Sequence, residues 1–221
     1  MSVFDILVKY YPAFLEGLGV SLQLASVVWI VGIVLGGALG LAGARWRLWV
    51  GGPSRFFSFL LSGVPILVFL FWLHYPAQAV FEVVINPFFT AAVTLSIVNI
   101  FGVADIVRGA LTDFPQQYLT AAKVTGLTRR QTVFNIQLPL ILRSILPALM
   151  MLQVVMLHTT LFASLISVEE IFRVAQRINA QIYRPVEIYT ALGMFFLAVS
   201  LPINGVALWL RARYTRDTSE Q

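Results

Sequence analysis

The chain has 221 residues, 59% of them hydrophobic and 11% charged, and a mean hydropathy of +0.85, which does not describe a soluble surface and points to a membrane protein. No cysteine and two histidines exclude a disulfide framework, a thiol nucleophile and a cysteine-ligated metal or iron–sulfur site, and leave little for a zinc centre. The formal charge of +5 is spread in small groups between apolar runs, a pattern of membrane topology and not of nucleic-acid binding.

Taken from the start, Met1 to Leu15 contain Asp5 and Lys9 without a basic cluster ahead of an apolar core, so no cleaved signal peptide is expected and the segment reads as a short surface-lying piece. Five intervals then carry no Asp, Glu, Lys or Arg: 17–44, 56–81, 83–104, 144–168 and 188–210. Each reaches the roughly 20 residues a helix needs to cross a bilayer core. Backbone groups in lipid must be satisfied within the segment, and these runs lack barrel-strand alternation. The expectation is a single all-α transmembrane domain over 1–221 with five membrane-spanning helices.

Lys and Arg set the orientation. Eleven of them lie between spans one and two, between spans three and four, and after span five, including Arg216; Lys9, Arg173, Arg177 and Arg184 fall on the other side, where acids outnumber them. The N-terminus is therefore expected outside and the C-terminus in the cytoplasm.

Within span one, Gly32, Gly36 and Gly40 place small residues on one face, a pattern for close helix packing. Gly63 with Pro65 early in span two, and Pro147 early in span four, mark bends or breaks. Asp105 and Arg108, three apart at the inner end of span three, suit an ion pair on one helix face.

Between spans three and four the pattern is helix, turn, helix, over 113–139. Asp113 is placed to N-cap a helix of about ten residues with Pro115 in its first turn, and Gly126 to stop it in a left-handed conformation. Thr128 and Gln131 have capping-box spacing and start a second helix carrying Val133, Phe134 and Ile136 toward Leu138-Pro139. A cation-bearing helical hairpin at the membrane face suits docking into a groove on a soluble partner; a surface helix with no partner fits the local pattern as well.

Polar residues inside spans are expensive in lipid and face the bundle interior. Asn99 in span three, with Gln153, His158, Thr159 and Thr160 in span four, are thus candidates for contact with a polar ligand inside the bundle. Each has a structural alternative: interhelical hydrogen bonding for Asn99, Gln153 and His158, and bonding to their own backbone carbonyls for the threonines. Spans three and four hold no Asp or Glu, which disfavours a cationic ligand. The stretch from Ser167 to Glu187, with Glu169, Glu170 and three arginines, reads as an outside loop, available to a docking protein or simply solvated.

Thr120-Ala121-Ala122, three residues, Gly126, nine residues and Ile136-Gln137-Leu138-Pro139 resemble the EAA loop of ABC importer permeases, E-A-A-x3-G-x9-I-x-L-P, with Thr120 where the family has Glu. Further stretches resemble the polar amino acid branch of that family, the permeases for histidine, glutamine, glutamate, arginine and opines. Gly19-Val20-Ser21-Leu22-Gln23-Leu24-Ala25 is similar to G-x-T-L-x-L-A, and Ser62-Gly63-Val64-Pro65-Ile66-Leu67-Val68 to R-G-T-P-L-L-V. Asp105-Ile106-Val107-Arg108-Gly109-Ala110 is similar to E-I-x-R-G-A, and Arg184-Pro185-Val186-Glu187-Ile188-Tyr189 to R-P-x-E-x-Y.

The resemblance implies a type I ABC importer fold in a bacterial cytoplasmic membrane, working as a dimer with an identical or homologous second permease subunit. It also implies two cytoplasmic ATP-binding subunits and an extracytoplasmic solute-binding protein. No G-x4-G-K-[ST] phosphate loop occurs in the chain, so ATP hydrolysis is expected in a partner. No cofactor or metal is expected, and no enzymatic activity of the chain itself. The implied coupling contact comprises Thr120, Ala121, Ala122, Lys123, Gly126, Leu138 and Pro139. The implied solute is an amino acid, neutral or acidic in preference to cationic. In the family, span four reads K-D-T-S where this chain has His158-Thr159-Thr160-Leu161, so only Thr160 matches directly. A heterodimeric permease with a degenerate site here, or an importer of another small polar solute, are the alternatives.

Overall fold

Ser2 caps the first helix: its hydroxyl accepts the Asp5 N–H and the Asp5 carboxylate accepts the Ser2 N–H, a reciprocal capping box. From there one helix, α1, runs Val3–Arg45 without a break. The computed structural model describes residues 2–219; Met1 and the side chain of Arg216 lie outside the described residues. The expected surface-lying piece at the start is instead the first turns of α1. Ile6 and Phe14 anchor it, both fully buried, with Phe14 5.4 Å from Phe195 between ring centroids.

After a wide turn at Arg47–Gly51 come α2 (Gly52–Gly63) and α3 (Ile66–Trp72), the latter prolonged through a second wide turn at Leu73–Ala77 into the short α4 (Gln78–Val80). Arg47–Gly63 and Ile66–Val80 meet at 98°, so the apolar run 56–81 is not one straight helix. Pro65 forces the residue before it out of helical conformation, and Val64 is accordingly extended, φ −109° and ψ 124°. The run 83–104 becomes helical only from Pro87, on α5 (Pro87–Thr112), where Asn86 caps the Phe88 N–H at 2.9 Å and Pro87 takes the first turn, as helix starts favour.

The hairpin follows as α6 (Gln116–Val124) and α7 (Arg129–Thr132), the second passing through a wide turn at Val133–Gln137 into α8 (Leu138–Thr159). Pro147 sits inside α8 without interrupting it. A tight 3-10 stretch at Thr160–Ile166 ends in left-handed Ser167. The expected loop between spans four and five contains a helix, α9 (Ile171–Ile182), and α10 (Pro185–Ser219) is the last element described. Among the described residues four helices are long and apolar enough to cross a membrane, and five if the bent pair counts as one. No strand occurs among the described residues.

The glycine row of span one explains the main packing. α1 lies along α5, and a Cβ added at Gly36 would sit 2.6 Å from the Ile100 carbonyl oxygen, one at Gly40 2.8 Å from that of Ala104. Backbone meets backbone there, which only glycine permits. Three apolar clusters hold the rest: Leu24, Leu70, Leu95 and Met156 at the centre, Ile6, Phe14, Ile171 and Ile188 around α9, and Val103, Phe114 and Ile141 at the hairpin end.

Candidate functional site: the hairpin and the polar interior

Asp113 was expected to cap α6, and it does not. It ends α5, donating its N–H to the Gly109 carbonyl at 2.9 Å, because Pro115 holds the chain extended before Gln116 and so separates Asp113 from the new helix. Pro115 itself takes the N-cap position, just ahead of the first turn in which it was expected; the remaining local signals are met. Gly126 has φ +76°, the left-handed stop glycine supplies. Thr128 and Gln131 form their capping box, with the Gln131 N–H to Thr128 Oγ1 at 3.3 Å and the Thr128 N–H to Gln131 Oε1 at 2.9 Å.

α6 has two faces. Ala122 is 2% exposed; on the same inner side Tyr118 lies with its ring 5.9 Å from that of Phe114, and Tyr118 and Leu119 pack against the cluster holding Phe114, Val103 and Ile141. Gln117, Thr120, Ala121 and Val124 recur at helical spacing on the outer face and are exposed, Val124 at 83%. That outer face is uncharged, with exposed Lys123 beside it. Thr120 spends its hydroxyl on its own helix, 3.2 Å from the Gln116 carbonyl. Pro139 is half-buried in the first turn of α8, and Leu138 is 40% exposed.

The five polar candidates in the interior do not converge. Asn99, fully buried, donates through Nδ2 to the Val28 carbonyl and to Gln153 Oε1, both at 2.9 Å, and accepts from Gln153 Nε2 at 3.3 Å. Trp29 Nε1 donates to the Gln153 carbonyl at 2.9 Å. This knot ties α1, α5 and α8. Thr159 and Thr160 each donate to a carbonyl three residues back, at 2.7 Å, the backbone alternative foreseen for them. His158 stands five residues from Gln153, about 140° around the helix, and so faces α10: its Nε2 lies 2.9 Å from Ser200 Oγ and its ring 5.8 Å from that of Phe196.

Asp105 and Arg108 form the expected pair. Arg108 is 7% exposed and also donates to Ser54 at 3.3 Å, while the Ser58 hydroxyl donates to Asp105. The pair thereby fastens α2 to the hairpin end of α5.

At the opposite end Glu170 is fully buried, although the sequence presents it as one charge in a loop. Its carboxylate caps α9 by accepting the Arg173 N–H at 2.8 Å, and it lies 3.2 Å from Ser21 Oγ; that hydroxyl accepts the Ile171 N–H at 3.2 Å. Burial pushes the Glu170 carboxyl up to about 7 against the lowering pull of the Phe172 and Arg173 N–H groups and Ser21. A Cβ at Gly17 would stand 2.9 Å from Ile171 Cα, so α9 seats directly on α1. The signal available was the row Ile171, Val174, Ala175, Ile178, an amphipathic helix with Glu170 at its start. A second polar knot missed from sequence joins Gln78 Nε2 to Thr90 Oγ1 at 3.1 Å and to His74 Nδ1 at 3.2 Å. No group of three or more His, Asp or Glu able to hold a metal occurs among the described residues.

Comparison with known proteins bears on the hairpin and the helices together. The profile of the family described as "Binding-protein-dependent transport system inner membrane component" matches residues 30–216. The octopine transport system permease protein OccM of Rhizobium radiobacter is 27% identical over 95% of this chain and 91% of its own length. The glutamine transport system permease protein GlnP of Escherichia coli (strain K12) is 28% identical over 91% of this chain and 93% of its own. Among solved structures, an amino acid ABC transporter with histidines superposes at a TM-score of 0.84 with 24% identity, covering 95% of this chain and 98% of that one. Inward-facing MetNI methionine ABC transporter superposes at 0.70 with 18% identity, covering 92% and 97%; these two likenesses concern the fold.

Proposed function

Because the chain belongs to the family of inner membrane components of binding-protein-dependent transport systems, we propose that it forms half of the path for a polar amino acid and that α6 is the handle by which an ATPase moves it. Membership makes the chain a multi-pass permease of the bacterial inner membrane and not an enzyme; ATP hydrolysis lies in a separate subunit. The observation that carries the handle is the division of α6 into an uncharged outer face, Gln117, Thr120, Ala121 and Val124, and an inner face packed through Tyr118 and Leu119 against the cluster that α5 and α8 share. A partner gripping the outer face displaces both helices together, since packed interfaces move as units and do not deform continuously.

In this reading the hairpin end is cytoplasmic and α9 faces outward, where a loaded solute-binding protein docks. The solute is an amino acid, as the names of the relatives suggest. Neutral or acidic solutes are favoured over cationic ones, because Asp105, the one acid on α5 or α8, is engaged by Arg108 and Ser58. Asn99, Gln153, Thr159 and Thr160 are bonded within the chain, which favours a second permease subunit, homologous and not identical, as the source of most solute contacts. His158, exposed where those four are buried although its Nε2 lies near Ser200 Oγ, is this chain's contribution. Thr120 in place of Glu makes the grip on this subunit depend on shape instead of charge.

The test is co-expression with candidate ATPase and permease subunits followed by reconstitution. Hydrolysis that rises when loaded binding protein is added, and that is lost with Val124→Asp, is the expected result. Uptake by the isolated chain without nucleotide overturns the proposal.

A further inference from the structure

On the hairpin side of the bundle a groove of about 300 Å³ runs between α1, α5 and α8, lined by apolar side chains and glycine except for Gln137. One wall is the row Ile33, Gly37, Leu41 on α1; the other includes Val133, Gln137 and Ile141. Both rows advance by four residues, one helical turn. One further step along each meets an arginine: Arg45 after Leu41 and Arg129 before Val133. Neither forms an ion pair among the described residues. Next to Arg45 the chain presents Trp46, Leu48 and Trp49, 54%, 86% and 87% exposed, the aromatic and aliphatic composition of a membrane–water boundary.

We infer that this groove is a binding site for an anionic phospholipid, with an acyl chain between the two apolar rows and the phosphate between Arg45 and Arg129. The apolar walls select hydrocarbon, and the arginines at their common end select negative charge over a zwitterion, because each basic side chain at such a surface favours the anionic headgroup. Since Val133 and Gln137 belong to the segment joining α7 to α8, the lipid bridges the hairpin to α1. None of Asn99, Gln153, His158, Thr159 and Thr160, and no residue of the outer face of α6, lines this groove.

The test uses the assembled importer, delipidated in mild detergent and titrated with palmitoyl-oleoyl phosphatidylglycerol or the matching phosphatidylcholine while bound lipid is counted by native mass spectrometry. Phosphatidylglycerol is expected to bind more tightly, with a loss of about fivefold for Arg45→Gln and again for Arg129→Gln, and with phosphatidylcholine unaffected by either. A Cβ at Gly37 meets no atom within 4 Å, so Gly37→Phe fills the groove from an open position and is expected to weaken both lipids. Equal binding of the two lipids, or no effect of the arginine changes, overturns the proposal. So does a photo-crosslinker at Leu41 that captures the other permease subunit in place of lipid, since the groove is then a protein interface.

Discussion

Asn99 and Gln153 exchange amide hydrogen bonds across α5 and α8, Nδ2 to Oε1 at 2.9 Å and Nε2 to Oδ1 at 3.3 Å. Asn99 reaches α1 as well, through the Val28 carbonyl. Interhelical hydrogen bonds in membranes contribute about 0.6 kcal/mol on average, whereas a buried amide left without a partner costs about 1–3 kcal/mol. Asn99→Leu and Gln153→Leu are each expected to lower the thermal midpoint of the purified complex. The double variant is expected to cost less than the sum, because it leaves no orphaned amide. Additive losses in this double-mutant cycle contradict the pairing.

The α1–α5 seam makes a steric prediction. Gly36→Ala and Gly40→Ala press a methyl against the carbonyls of Ile100 and Ala104 at 2.6 and 2.8 Å; forcing the helices apart costs about 1–3 kcal/mol. Gly19→Ala on the same helix meets no atom within 4 Å and is expected to be neutral or stabilising, since alanine is the better helix former. Melting curves of the three variants separate packing from propensity.

Glu170 gives a pH dependence of definite sign. Burial raises its carboxyl from the ordinary 4.5 to about 7, so the folded chain binds the proton more tightly than the unfolded one. The contribution is fully present below the ordinary carboxylate range and is lost as pH rises through about 7, as linkage requires. Thermal stability measured from about pH 4 to about pH 8 is expected to fall across this window, and Glu170→Gln, which cannot titrate, is expected to flatten that part of the profile. An unchanged slope in the variant contradicts the assignment.

Gly126 separates hairpin shape from hairpin contact. At φ +76° asparagine is the best tolerated replacement, and proline, fixed near −65°, cannot occupy the position. Gly126→Asn is expected to retain solute uptake by the reconstituted importer, and Gly126→Pro to abolish it. Equal uptake by the two means that the turn does not shape the coupling contact.

What the sequence disclosed was what neighbouring residues decide. The Thr128–Gln131 box, the left-handed Gly126, the glycine row of α1 and the Asp105–Arg108 pair all rest on spacings within a few turns, and all four are present. The first turns of α1 were not foreseen because charge at Asp5, Lys9 and Glu16 lowers hydropathy without stopping a helix; the Ser2–Asp5 box was the available sign. Asp113 lost its predicted role because Pro115 acts on the residue before it, and this conformational restriction outweighs capping preference. The burial of Glu170 against Ser21, 149 positions away, and the mutual satisfaction of Asn99 and Gln153, 54 apart, are tertiary facts that no local pattern contains.

The chain contains no cysteine, so a single introduced thiol reports one position without background. In the assembled importer, Ala121→Cys on the outer face of α6 is compared with Tyr183→Cys, an exposed position just beyond α9 at the other end of the helices, using a short thiol-to-amine crosslinker. An adduct to the ATPase subunit from Ala121→Cys, with none from Tyr183→Cys, is the predicted result. An ATPase adduct from Tyr183→Cys and none from Ala121→Cys contradicts both the handle and the orientation assigned to it.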